Sequence, residues 1–311
     1  MEFINLVFIA PFIDMVDYPV FFVEVVVAGL LTGIMYSLVA LGFVLIFKAS
    51  GVFNFAQGAM VLFAALTLVG LMERGVPVWG ALLLSVMVMI ALAFMIERFM
   101  LRHLINQDGI ILFMATIGLT FLLQGSGEMM WGSNVKPLDV GIPSASFEVG
   151  GVLLNEFDLF AAMSGAVLVA VLAVFFHYTR IGRALRAVAD DHQAAMAVGI
   201  PLKTIWVIVW SVAGFVGLVA GIMWGAKSGV QFSLSLIALK ALPVLILGGF
   251  TSVPGAIVGG LIIGVGEKIA EIYWGPLVGG AIENWFAYML ALAFLLFRPQ
   301  GLFGERIIER V

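Results

Sequence analysis

The sequence predicts an all-α polytopic membrane protein with about eight to nine transmembrane helices, some of them short or broken. Three observations lead there. Hydrophobic residues make up 63% of the 311 residues and charged residues 11%, against about 25% charged in soluble domains. Apolar runs bounded by Gly, Pro or charge recur along the whole chain. The 36 glycines suit helices that must pack closely because lipid supplies no hydrophobic drive between them.

Taken in order, the candidate spans lie near 24–47, 55–72, 78–97, 109–125, 157–177, 204–225, 236–249, 254–272 and 282–298. The stretch before the first span has no basic start: Glu2, Asp14 and Asp17 are acidic, and the first basic residue is Lys48. It is therefore not a cleavable signal peptide, and the first span is expected to stay in the mature protein. The pair 236–249 and 254–272 is irregular. Its first member falls short of the roughly 20 residues a span requires, and Gly248-Gly249 with Pro254 interrupts the pair. Half-length or re-entrant helices fit these two segments, provided protein or a watery cavity satisfies their backbone.

Basic residues set the orientation. With the amino terminus outside, the inner side holds Lys48, Arg98, Arg102, Arg180, Arg183, Arg186, Lys203, Arg298, Arg306 and Arg310. The outer side keeps Arg74, Lys136, Lys227, Lys240 and Lys268. The extracytoplasmic loop at 126–156 carries four acids against one lysine, which agrees. The carboxyl terminus is then cytoplasmic. A weak internal echo also appears: the glycines, phenylalanine, alanine and valine of 51–61 recur at the same spacing in 248–258. An internal duplication framing a pathway and chance in a Gly- and Ala-rich chain both explain it.

The conspicuous polar island is Tyr178 to Lys203. Arg180, Arg183 and Arg186 fall on neighbouring helical faces. From Arg183 to Val198 the chain is Ala-rich with no Gly or Pro, so it is strongly helix-forming, and Gly199 and Pro201 end that helix in the usual order. A passive loop whose arginines fix orientation needs no such helix, whereas a short exposed helix suits a groove on a partner. Gln193-Ala194-Ala195 followed by Gly199 is similar to the coupling loop of ABC importer permeases, normally Glu-Ala-Ala-x-x-x-Gly, with Gln in place of Glu.

The whole chain resembles the permeases of branched-chain amino acid ABC importers, of the LivH-type inner-membrane subunit. The matching pieces are GLLTGIMYSLVALGFVLIF (29–47), GVFNFAQGAM (51–60), IGRALRAVADDHQAAMAVGI (181–200), LGGFTSVPGAIVGGLIIGVGE (247–267) and LFRPQGLFG (296–304). The resemblance implies an ABC importer permease fold, with residues 1–311 forming a single transmembrane permease domain in the bacterial inner membrane. It implies transport of branched-chain or other hydrophobic amino acids; related permeases carry urea, short amides and small organic acids. It further implies a second related permease subunit, two ABC ATPase subunits and an extracytoplasmic substrate-binding protein as partners. No cofactor is expected in this chain, with ATP and Mg held on the ATPases. No Gly-x-x-x-x-Gly-Lys-Ser/Thr run occurs here, so the chain itself supplies no P-loop.

Residue roles follow in the same terms. Arg183, Asp190, Asp191, Gln193, Ala194, Ala195 and Gly199 are the candidates for ATPase coupling, the charges orienting docking and the small residues allowing close approach. Asn54, Gln57, Thr251, Ser252 and Glu267 are candidates for the translocation pathway. Each has a plainer reading beside it. Asn54 is placed to cap a helix entering at Phe55, Gln57 to tie helices together, and Glu267 to pair with Lys240 near the outer boundary, where charge is cheap. No histidine or carboxylate spacing suggests a metal site, and no Gly-x-Ser-x-Gly occurs. A stand-alone channel or secondary transporter leaves the 178–203 helix without a task, and an intramembrane enzyme lacks converging acid and base residues.

Overall fold

A computed structural model gives the structure of residues 7, 9–104, 107–190 and 192–304. Asp191, Arg306, Arg310 and the side chains of His192 and Gln193 lie outside the described residues. A short helix α1 (Ala10–Asp17) precedes α2 (Pro19–Ser50). The 32 residues of α2 extend about 48 Å at 1.5 Å each, well beyond the roughly 30 Å apolar layer of a bilayer. Then come α3 (Gln57–Glu73), α4 (Val78–Phe99), a 3-10 turn at Leu101–His103, and α5 (Gly109–Trp131). A hairpin of β1 (Ser146–Val149) and β2 (Val152–Asn155) leads into α6 (Glu156–Tyr178). The polar island forms α7 (Arg180–Asp190) and α8 (His192–Ala197), followed by α9 (Leu202–Ser228). A 3-10 segment (Phe232–Leu236) enters α10 (Ile237–Gly248); α11 (Val253–Tyr273), α12 (Gly275–Val278) and α13 (Glu283–Phe297) complete the chain.

Six of these helices are long and apolar enough to cross a membrane, and three shorter apolar ones accompany them. The segment 236–249 is indeed short, with Pro243 inside its helix. One part of the outer loop differs from the sequence reading: α5 runs on to Trp131, and the loop contains an antiparallel hairpin in the register Val149↔Val152. Its turn is Gly150-Gly151, with φ of 63° and 90°, the doubly positive pair that tight hairpins require.

Cα proximity divides the chain into two compact units, Met1–Ser37 with Gly141–Ala166 and Lys240–Val311, and Leu38–Val140 with Val167–Leu239. In the first unit, α2 and α11 meet backbone to backbone. A Cβ on Gly33 would lie 2.6 Å from the Gly260 carbonyl oxygen, and one on Gly264 would lie 2.4 Å from that of Gly29. Gly29-x-x-x-Gly33 thus faces Gly260-x-x-x-Gly264, the small-residue pairing by which helices associate in lipid. One turn further on, the Ser37 hydroxyl donates to the Gly33 carbonyl at 2.8 Å and reaches the Ile257 carbonyl at 3.3 Å. The carboxyl-terminal tail folds back on α10: Leu302 N–H donates to the Leu247 carbonyl (2.8 Å) and Phe303 N–H to that of Gly248 (3.1 Å).

The second unit is built around α3, whose residues from Gln57 to Gly70 are all buried, with α4, α5 and α9 packed on it. Trp210 and Met60 are fully buried there, with Leu62, Leu66 and Leu68. A helix apolar all round is expected at the centre of such a bundle.

Candidate functional site

The polar island begins with a tight corner. Thr179 Oγ1 accepts a hydrogen bond from Gly182 N–H at 3.1 Å, the N-cap arrangement that satisfies a donor at the start of α7. Gly182 has no substitute at this corner, since a Cβ there would sit 1.9 Å from the Phe176 carbonyl oxygen. Arg186 then reaches back, its Nη1 donating to the Phe176 carbonyl at 2.6 Å and its Nη2 to that of His177 at 3.2 Å. Arg183 donates to the Tyr178 carbonyl at 3.2 Å. The last carbonyls of α6 have no partner within their own helix, and cations are favoured at that end. These two arginines brace α7 against α6, a role the spacing alone did not suggest.

The far end of the island stops as a Schellman motif. Ile200 N–H donates to the Ala195 carbonyl and Gly199 N–H to the Met196 carbonyl, both at 3.0 Å. Gly199 takes φ 85°, the left-handed position that favours glycine. Leu185, Val188 and Ala195 face inward. Arg183, Asp190, Ala194 and Gly199 are exposed, so of the two coupling alanines only Ala194 is outward. Asp191 and the Gln193 side chain are among the positions not described. Two residues not singled out from sequence share the outward surface: Met196 is 48% and Val198 77% exposed. Their signal was available, as apolar side chains in an otherwise polar segment.

A second constellation lies in the first unit. Glu267 is buried, and its Oε1 accepts from the Tyr36 hydroxyl at 2.9 Å and from Lys240 Nζ at 2.8 Å. Lys240 also lies 3.6 Å from Glu283 Oε1, and Lys268 lies 3.6 Å from Glu283 Oε2. Two carboxylates and two ammonium groups therefore neutralise one another across α10, α11 and α13. Such a pair is costly to break and contributes little net stability when whole. Glu267 and Lys240 meet as the sequence reading allows; Tyr36 and Glu283 were not foreseen, being distant in sequence from both.

Three of the remaining polar candidates, Asn54, Gln57 and Ser252, make hydrogen bonds to nearby backbone or side chains. Asn54 and Gln57 are fully buried. The helix starts at Gln57 with Ala56 as its N-cap, so Asn54 does not cap a helix at Phe55. Instead its Oδ1 accepts from Ala56 N–H at 3.2 Å, an Asx turn, and its Nδ2 donates to Gln57 Oε1 at 3.3 Å. The Gln57 amide fills the space beside Gly42. Ser252 is the N-cap of α11, accepting from Gly255 N–H at 3.0 Å; Thr251 sits half-buried in the preceding turn. The two echoed segments also differ in detail. Gly51 takes positive φ after α2, whereas Gly248 ends α10 and it is Gly249 that takes positive φ.

Residues 25–298 match the family described as the branched-chain amino acid transport system permease component. The chain belongs to that family. It is 28% identical over 305 residues to the high-affinity branched-chain amino acid transport system permease protein BraD of Pseudomonas aeruginosa, covering 93% of this chain and 98% of that one. It is 27% identical over 312 residues to the corresponding LivH of Escherichia coli K12, covering 94% and 98%. Among solved structures, PsaBC from Streptococcus pneumoniae in complex with Fab superimposes with a TM-score of 0.50 over 93% of this chain and 94% of that chain, at 18% identity; this likeness concerns the fold alone. The family is one of ABC transporter permeases, multi-pass membrane subunits of transporters.

Proposed function

We propose that this permease is the membrane subunit of an ATP-driven importer for branched-chain or other hydrophobic amino acids. It stands in the inner membrane, amino terminus outside, as the basic-residue asymmetry favours. It pairs with a second, related permease, receives substrate from an extracytoplasmic binding protein, and works with two ABC ATPases that carry ATP and Mg. The observation that carries the reading is a family match over 25–298 in a chain that also presents an exposed, capped helical island.

Coupling runs through that island. An ATPase groove receives α7 and α8 by Arg183, Asp190, Ala194 and Gly199, which face outward, together with Asp191 and Gln193, and Met196 and Val198 supply apolar contact. Ala195 supports this surface from beneath. Because Thr179, Arg183 and Arg186 tie α7 to the end of α6, a displacement of the island is passed to α6 as a lever is passed its load. Alternating access then follows from rigid helices moving about a fixed path. Asn54, Gln57, Thr251, Ser252 and Glu267 are the candidates for the translocation pathway.

Uptake by the assembled transporter in proteoliposomes tests this. Gly199→Trp places a large ring where the new Cβ meets open space, at the cost of backbone strain at φ 85°. Uptake and substrate-stimulated ATP hydrolysis are expected to fall to background, with insertion intact. Normal uptake by that variant sinks the docking assignment. Uptake of leucine, isoleucine or valine, set against urea, short amides and small organic acids, decides the substrate.

A further inference from the structure

At one edge of the first unit, α1 and the start of α2 lie against the end of α11 and α12. They enclose a pocket of about 400 Å3. Its walls include Pro11, Asp14, Tyr18, Phe21, Tyr273 and Pro276. Phe21 and Tyr273 stand edge to face, ring centroids 6.4 Å apart. Asp14 is the one charged residue in the lining among the described residues. The Tyr273 hydroxyl is buried and has no hydrogen-bond partner among the described residues. Two further contacts hold α1 in place: Phe12 against the Trp274 ring at 5.8 Å, and Trp274 Nε1 donating to the Val7 carbonyl at 3.0 Å.

A single carboxylate beside aromatic faces selects for an organic ammonium ion. One carboxylate offers too few oxygens for Ca2+ or Mg2+. The unused Tyr273 hydroxyl adds a donor suited to an anion's oxygen. On the opposite face of the same short helix Phe12, Ile13 and Val16 are 55%, 50% and 77% exposed. We infer that this pocket holds the headgroup of an aminophospholipid, its ammonium on Asp14 and the rings of Tyr18 and Phe21 and its phosphate on the Tyr273 hydroxyl. A free small amine offers the same ammonium without the chains.

The test uses the full chain, purified with its co-expressed partners and exchanged into nanodiscs of equal phosphatidylethanolamine and phosphatidylglycerol. Lipid retained after gentle release is read by native mass spectrometry. Phosphatidylethanolamine is expected to be enriched about fivefold, the size given by one exposed cation–π contact and one surface ion pair. Asp14→Asn returns the ratio towards that of the disc, and Tyr273→Phe, which loses a donor to the phosphate both lipids carry, lowers the total lipid retained; Asp14 is exposed and Tyr273→Phe removes one oxygen, so neither threatens folding. Enrichment that survives excess free ethanolamine assigns the site to the lipid. Enrichment abolished by ethanolamine keeps the ammonium pocket and reassigns its source to a free amine. No enrichment, or enrichment unchanged in Asp14→Asn, overturns the proposal.

Discussion

In the first unit α2 touches α11 through glycine backbone, whereas in the second α3 is wrapped in side chains as large as Trp210 and Met60. Both arrangements bury a helix face, by different physics. Where backbones touch there is no side chain to turn aside, so a single added carbon must push the helices apart. Where side chains interdigitate, a neighbour can change rotamer, and volume-conserving exchanges cost little. The polar groups divide in the same way. The first unit sets a charge-balanced cluster of partly exposed partners around the buried Glu267, and the second buries neutral amides at Asn54 and Gln57.

The sharpest way to break this contrast is Gly33→Leu. Its Cβ alone would meet the Gly260 oxygen at 2.6 Å, and the loss is expected to exceed about 4 kcal/mol, the range of severe core disruption. The measurement is the yield of monodisperse protein after detergent extraction. Leu66→Met in the second unit should cost less than about 1.5 kcal/mol; equal damage from both changes would erase the distinction.

Next comes Lys240→Met, which leaves the buried Glu267 without its cation. Breaking a buried pair costs about 3–5 kcal/mol, and here less, because Lys240 is partly exposed and Tyr36 still donates to Glu267. Thermal unfolding of the single variant and of Lys240→Met with Glu267→Leu gives the coupling, and the double variant should be the more stable. Asn54→Ala follows, removing the acceptor for Ala56 N–H and the donor to Gln57, with an expected cost of about 1–3 kcal/mol. The smallest effect belongs to Arg186→Ala, at about 1 kcal/mol. Its mark is faster hydrogen exchange at the α6–α7 corner. Unchanged exchange there would remove the bracing role given to the arginine.

The sequence made the spans legible because apolar length is set by bilayer thickness and needs no partner to be read. It also showed the end of the island at Gly199 and Pro201, since a helix stop is local chemistry. The Glu267–Lys240 pair was within reach because charge in an apolar run asks for a counter-charge. What escaped notice was of two kinds. The hairpin's strands are four residues each, too short for alternation to declare itself, although Gly150-Gly151 between apolar flanks is the turn signal that would have found it. The facing glycine pairs, the Gln57 amide against Gly42 and the arginines on α6 depend on where distant backbone passes, and no local pattern records that. Asn54 shows the intermediate case: read as a helix cap, it forms an Asx turn two residues before the actual N-cap, Ala56.

The hydrogen bond between Tyr36 and Glu267 joins residues 231 apart in sequence, alongside the glycine seam of α2 and α11. At roughly 5–20 residues per second of synthesis, the first helix waits some 10–50 s for its mate to emerge. For that interval its grooved face, shaped for a backbone that does not yet exist, has only the surrounding bilayer and the intervening helices for company. A ribosome that stalls within this stretch strands a half-made seam in the membrane, so the pace of translation becomes part of what determines whether this chain matures.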